Sequence, residues 1–345
     1  MNFKYHIQPY AMQMYNVILP MPDNVKIDEK FLKDLDEDEF RSALSDIHSI
    51  FRGFYKSMAE NPESCGIPAI EIVGVKKAGR DYKTGELLKD KDFEAGKEKT
   101  LNHYYKLQKV FVNIFSSVNS DMTGFTVDLN KFKVRKRPKV LERLKEQGFE
   151  IFEDGNYLHI TYPDNKNIFV LFAAHGFSCV TWTNFAADKK YKNICIDFLT
   201  AQVFDEADKE YFMNLHKYLL SNGFTYKQKR YSDGIGDITI RYERKGKLEF
   251  VAYSTGTKTI KIRLANLDKY TTALDSVTEI VRNNILEGYF CRNCAPCKSK
   301  AYRLSYKGKG HIKCCVGNYH FYNTTLEDFP SIKLLMENEL PYYLQ

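Results

Sequence analysis

Five of the eight cysteines fall within FCRNCAPCKSKAYRLSYKGKGHIKCC, residues 290–315, leaving Cys65, Cys179 and Cys195 for the rest of the chain. The spacing is C-x2-C-x2-C followed, sixteen residues on, by a C-C pair. Thiolates two residues apart can face one ion because the backbone between them turns, and the remaining ligands then come from a second knuckle across a hairpin. YRLSYKGKGHIK supplies the hairpin: Tyr302, Leu304 and Tyr306 alternate, KGKG turns, and HIK returns. The layout is that of a zinc ribbon, with Cys291, Cys294, Cys297 and Cys315 as ligands to a structural Zn2+ and with Cys314 and His311 as alternates. His320 is a further reserve. Four cysteine ligands leave no open position on the ion, which points to folding rather than catalysis.

An iron–sulfur cluster is the less favoured cofactor. The first three cysteines fit the ferredoxin run C-x2-C-x2-C-x3-C-P, but Ala301 stands where the fourth belongs and no proline follows. Free thiols, inert in a small core or doing redox chemistry, are the remaining option.

The second group with chemical potential is cationic. KFKVRKRPK (131–139) and the stretch around 227–230 offer Lys133, Arg135, Lys136, Arg137, Lys227, Lys229 and Arg230 as contacts for nucleic-acid phosphates. Both are read as linkers in equivalent places of a repeat. His175, in AAHGF, is a turn residue with a catalytic alternative; His48 and His103 are read as surface or interface residues of helices. No GxSxG, GxxxxGK[ST], HExxH or helix-opening GxGxxG motif occurs, which lowers the odds of an enzyme and leaves the matter open.

Elements of several kinds must carry these groups. Asp36 and Glu39 form a capping-box pattern ahead of Phe40, Leu44, Ile47, Phe51, Phe54 and Met58, spaced three and four apart, which predicts a helix ending near Asn61-Pro62. A second helix is predicted from Leu101 to Val118, AIEIVGV (69–75) reads as a buried strand, and residues 76–99 read as a long solvated hairpin or mobile loop, with a binding lid as the functional alternative. Further on, Val140, Leu144, Gly148 and Phe149 recur 75 positions later as Leu215, Leu219, Gly223 and Phe224, and LHITY (158–162) recurs as ITIRY (238–242). Ile168, Val170, Val180 and Trp182 meet Leu248, Phe250, Ile260 and Ile262, so each copy is expected to be a helix followed by three strands. Residues 189–202 suit a strand or a helix equally. Helices are expected at 268–287 and from Asp328.

The fold class expected is therefore α+β, with four regions: a helix-rich N-terminal α+β region (1–130), two related helix-plus-antiparallel-sheet modules (131–204 and 205–288), and a cysteine-rich metal-binding module with a closing helix (289–345). A net charge of +7 permits an anionic partner without requiring one. The absence of a ~20-residue apolar run or an export signal predicts no membrane partner and a cytoplasmic location. These features together suggest a non-catalytic binding or adaptor protein with a structural zinc site. The alternatives are a regulatory nucleic-acid-binding protein and a thiol, redox or iron–sulfur protein. A protein partner is equally open.

Overall fold

A computed structural model describes residues 3–74, 79–80, 87–88, 90–133, 138–188, 194–230, 238–287, 302–313 and 317–345. The chain is mixed helix and antiparallel sheet, as expected of an α+β protein.

The N-terminal half is built on three helices, α1 (Gln8–Val17), α2 (Glu37–Glu60) and α3 (Lys91–Phe115), with a short antiparallel ladder between β1 (Gly79–Arg80) and β2 (Leu87–Leu88). The capping box closes at the start of α2: Glu39 N–H donates to Asp36 Oδ1 over 2.8 Å and Asp36 N–H to Glu39 Oε2 over 3.0 Å. Helix α3 begins ten residues before its predicted start. Asp90 caps it, accepting from the N–H groups of Asp92 and Phe93, so the charged stretch expected to be a hairpin or loop is in part the helix's first turns. The expected strand at 69–75 is not formed over its described residues. Ile70 and Ile72 exchange single bonds with the N-terminal arm, through His6 and Lys4, and the pairing amounts to one bridge between Tyr5 and Glu71.

Next come β3 (Phe125–Asp128), α4 (Pro138–Glu146), β4 (Glu150–Asp154), β5 (Tyr157–Thr161) and α5 (Asn167–His175). The strands pair in the order β3-β5-β4. Ile168 and Val170 lie on α5 and not on a strand. Ile168, Phe169, Leu171 and Phe172 are buried, a helical spacing that a period-two reading of an almost wholly apolar run cannot distinguish. Val180 and Trp182 fall in short 3-10 turns. The phenylalanines converge here. Phe115 of α3 meets Phe51 of α2, Phe125 of β3 and Phe172 of α5 at ring-centroid separations of 5.2, 5.2 and 4.8 Å.

The C-terminal half contains α6 (Ile196–Val203), which settles the ambiguous stretch as helix, then α7 (Glu206–Ser221), β6 (Thr225–Arg230), β7 (Ile238–Glu243), β8 (Val251–Ser254), β9 (Thr259–Arg263) and α8 (Glu279–Leu286). The hairpin of β10 (Tyr302–Tyr306) and β11 (Lys309–Lys313), then β12 (Asn318–Phe321) and α9 (Phe329–Leu344), complete it. The sheet order is β12-β9-β8-β7-β6, antiparallel throughout. The helix expected over 268–287 is broken. Two 3-10 turns precede α8, and Thr278 at its start donates its hydroxyl proton to Asp328 and its N–H to Ser331.

Both α4 and α7 end on a glycine of positive φ (Gly148 +92°, Gly223 +76°). Each then closes with the same bond, Phe149 N–H to Leu144 O and Phe224 N–H to Leu219 O, both 3.1 Å. A hairpin follows in each, β4–β5 and β6–β7. Beyond the hairpins the segments part: α5 follows in one, β8 and β9 in the other.

Candidate metal centre and cationic surfaces

The hairpin expected between the two cysteine groups is present. Lys307 and Gly308 both have positive φ, 47° and 74°, the backbone that a two-residue hairpin turn demands. Its packed face carries Leu304, His311 and Lys313. Lys313 is buried at 5% exposure, and its ammonium donates to the carbonyls of Ile285 and Leu286, the latter over 2.8 Å. His311 Nδ1–H donates to Leu286 O over 3.1 Å. These two side chains take up carbonyls left without partners at the C-terminus of α8, where positive charge is favoured. Burial pushes the Lys313 ammonium down to about 8, with Glu287 opposing. Burial and the neighbouring Lys313 lower His311 as well. With Nδ1–H committed to a carbonyl, the neutral ring keeps its lone pair on Nε2, the arrangement typical of a metal-binding histidine.

Cys291, Cys294, Cys297, Cys314 and Cys315 lie outside the described residues. Among the described residues, no group of three or more His, Cys, Asp or Glu side chains is placed to hold a metal ion. What the described residues do supply is the corner from which the cysteines depart. Leu286 lies five residues before Cys291, Tyr302 five after Cys297, and Lys313 directly before Cys314. Tyr302 pairs with Lys313, which is bonded to Leu286. His320 sits on β12, opposite Lys261 of β9, with its ring stacked on Tyr322.

The cationic groups are not in equivalent linkers. Lys227 and Lys229 lie on β6, after the glycine that ends α7, whereas Lys133 precedes α4. A strand so rich in charge reads as a loop, yet β6 is the edge of its sheet, where lysines are well tolerated. Arg135, Lys136 and Arg137 lie outside the described residues, as does the side chain of Arg230. Lys133, Lys227 and Lys229 are exposed, and Lys227 pairs with Glu243. The strand register shows what sequence reading missed: Lys227, Arg241, Lys261 and His320 share one row across the sheet. Glu249 bridges Arg241 and Lys261, and Thr239, Ala252 and Thr259 on the same face are buried, so the face is neither wholly wet nor uncompensated.

Several histidines and two of the three described thiols are held by packing, whereas Cys195 is exposed. His175 donates Nε2–H to Phe31 O over 2.9 Å and packs against Phe31, Phe40 and Phe185. His216 Nδ1 lies 2.8 Å from the Tyr242 hydroxyl, and both are buried. His103 is half-buried on α3. Burial pushes the Cys65 and Cys179 thiols up, away from the reactive thiolate.

His48 is a core residue, contrary to its reading as a surface or interface group, because it shares the buried face of α2 with Leu44, Ile47 and Phe51. Neither ring nitrogen completes a hydrogen bond among the described residues; the Cys179 backbone lies beside the ring, off bonding geometry. Burial holds its pKa at about 4 against an ordinary 6.5. The unfolded chain therefore takes up a proton at a pH where the folded chain refuses it. The stability concerned is present above pH 6.5 and is lost as pH falls toward 4, a difference of about 3 kcal/mol. Urea midpoints measured between pH 7 and 4 are expected to fall more steeply in the native protein than in His48→Leu.

No family model, no curated protein and no solved structure matches this chain. Among the described residues, no helix is long and apolar enough to cross a membrane.

Proposed function

We propose that this chain is a non-catalytic binding protein whose C-terminal module is held together by a structural zinc ion on Cys291, Cys294, Cys297 and Cys315. The observation that carries the reading is the corner at Leu286, Tyr302 and Lys313. Two separate cysteine-bearing stretches leave it, and at roughly 3.3–3.6 Å per extended residue each cysteine can return to a common point. The thiol spacing then selects the ion. His311, with its Nδ1–H already committed, is the alternate ligand should Cys315 be replaced. We place the protein in the cytoplasm, where thiols stay reduced and free to bind metal. Residues 289–345 form the metal module of this proposal, and 131–204 and 205–288 the related modules. Support for that relation is the shared helix, left-handed glycine and hairpin. The binding surface would lie on these modules.

Elemental analysis of protein purified without added metal tests the zinc. One zinc per chain is expected, lost in Cys294→Ser together with a fall in the unfolding midpoint. Iron with a visible chromophore would replace the zinc reading by an iron–sulfur one. Metal-free protein with five readily titrated thiols would overturn both and put thiol chemistry first.

A second reading, nucleic-acid binding, rests on the exposed Lys133, Lys227 and Lys229, with Glu243 and Glu249 already pairing Lys227, Arg241 and Lys261 of the row across the sheet. If it holds, mixed-sequence RNA or DNA binds at low salt and affinity falls steeply with added salt, and Lys227→Glu weakens it. Undetectable binding of both at low salt would remove it.

A further inference from the structure

A cavity of about 440 Å³ opens between the C-terminal end of α7 and the face of α9. Its wall includes Tyr218, Arg244, Lys333, Glu337, Leu340 and Pro341. Two donors in that wall are buried and lack a partner among the described residues, the Tyr218 hydroxyl and Nε of Arg244. Arg244 is held in place from both sides. Its Nη2 donates to Asn222 O beyond the end of α7, and its guanidinium lies 5.3 Å from the Phe224 ring centroid. Burial, with Glu337 adding to it, pushes the Tyr218 phenol up to about 12, so the hydroxyl keeps its proton at neutral pH. Lys333 stands 5.8 Å from the Tyr218 ring centroid, with only a loose 3.7 Å pairing to Glu337. The remainder of the wall is Ser221 and Asn222 beside hydrocarbon from Leu340, Pro341 and Leu344.

Buried donors without acceptors cost about 1–3 kcal/mol each, and positively charged donors cost more. An anionic occupant with two acceptor oxygens would offer these donors an acceptor, and Leu340, Pro341 and Leu344 would take a hydrocarbon body beside it. The wall carries two cations against one carboxylate, so the balance also favours an anion. A phosphate would gain from the charge but would leave Leu340 and Pro341 facing water.

We propose that this cavity binds a small organic carboxylate, its oxygens received by Arg244, Tyr218 and Lys333 and its hydrocarbon part by Leu340 and Pro341. The carboxylate could come from a free acid or from the C-terminus of another polypeptide. The full chain would be titrated with sodium hexanoate, hexanol, N-acetyl-alanyl-leucine and its C-terminal amide, with binding read by ligand-observed NMR. Saturable hexanoate binding is expected, with hexanol weaker by about tenfold. Tyr218→Phe and Lys333→Gln should each weaken it about threefold or more while leaving the unfolding midpoint in place. Arg244→Gln should abolish it; because that change also removes the bond to Asn222, the other two variants are the decisive ones. Tighter binding of the free-acid peptide than of hexanoate, with no binding of the amide, would assign a polypeptide C-terminus; the reverse order would assign a free acid. Equal binding of hexanoate and hexanol, or native affinity in folded Tyr218→Phe and Lys333→Gln, would overturn the proposal.

Discussion

Glu339→Leu is expected to destabilise the protein by about 3–5 kcal/mol, read as a fall in the urea midpoint at neutral pH. Glu339 sits on α9 at 1% exposure. Its carboxylate accepts from Asn266 N–H, from Asn266 Nδ2 over 2.9 Å and from the Tyr270 hydroxyl. Leucine fills the same space but returns none of these bonds, so the Asn266 N–H and Nδ2–H lose the acceptor that the carboxylate gave them and the Tyr270 hydroxyl loses its bond to α9. Glu339→Gln keeps one carbonyl oxygen for them and should recover part of the loss. An isostere that recovers nothing would show that the charge matters more than the acceptors. If Glu339→Leu unfolds at the native midpoint, α9 is not fastened to the loop after β9 in the way described.

Phe115→Ala is expected to have an effect of similar size, about 3–5 kcal/mol. Its ring touches aromatic residues from α2, α3, β3, α5 and the turn after α5, including Phe177 at 5.7 Å. Removing it opens a void that no single neighbour can close, since each is wedged against another ring. Phe54 meets Phe111 at 4.6 Å, and Phe125 meets Phe169 at 4.8 Å. Phe115→Leu retains most of the volume and should cost about 1.5 kcal/mol or less. Equal losses for the two variants would mean that the cluster collapses readily and is not packed as a unit.

Elements whose signals are local are legible in the sequence. Helix α2 announces itself through Asp36, Glu39 and a clean three-and-four spacing, and the β10–β11 hairpin through alternating Tyr302, Leu304 and Tyr306 ahead of KGKG. Helix α5 passes for a strand because NIFVLFAA is apolar on every side, and a run without a polar face carries no period. Strand β6 is hidden for the opposite reason, since Lys227, Lys229 and Arg230 mask it as a linker. The cysteine spacing is legible, whereas its support is not. Lys313 looks like one more surface lysine until Ile285 and Leu286 are seen beside it, and that meeting depends on how α8 and the hairpin pack. Glu339, Arg244 and Tyr218 are invisible for the same reason: each owes its environment to a residue some 20 to 120 positions away.

The bonding of Lys313 and His311 to the end of α8 has a consequence for how an ion would be captured. On the zinc reading proposed above, once one cysteine group held the ion, the other would be tethered through this corner and not through a freely diffusing chain. Its effective concentration at the ion would then be in the millimolar range or above, as for other short tethers. Affinity would then be partly a property of the corner. If zinc is bound as proposed, Lys313→Met should speed its loss to a chelator while leaving every thiol in place.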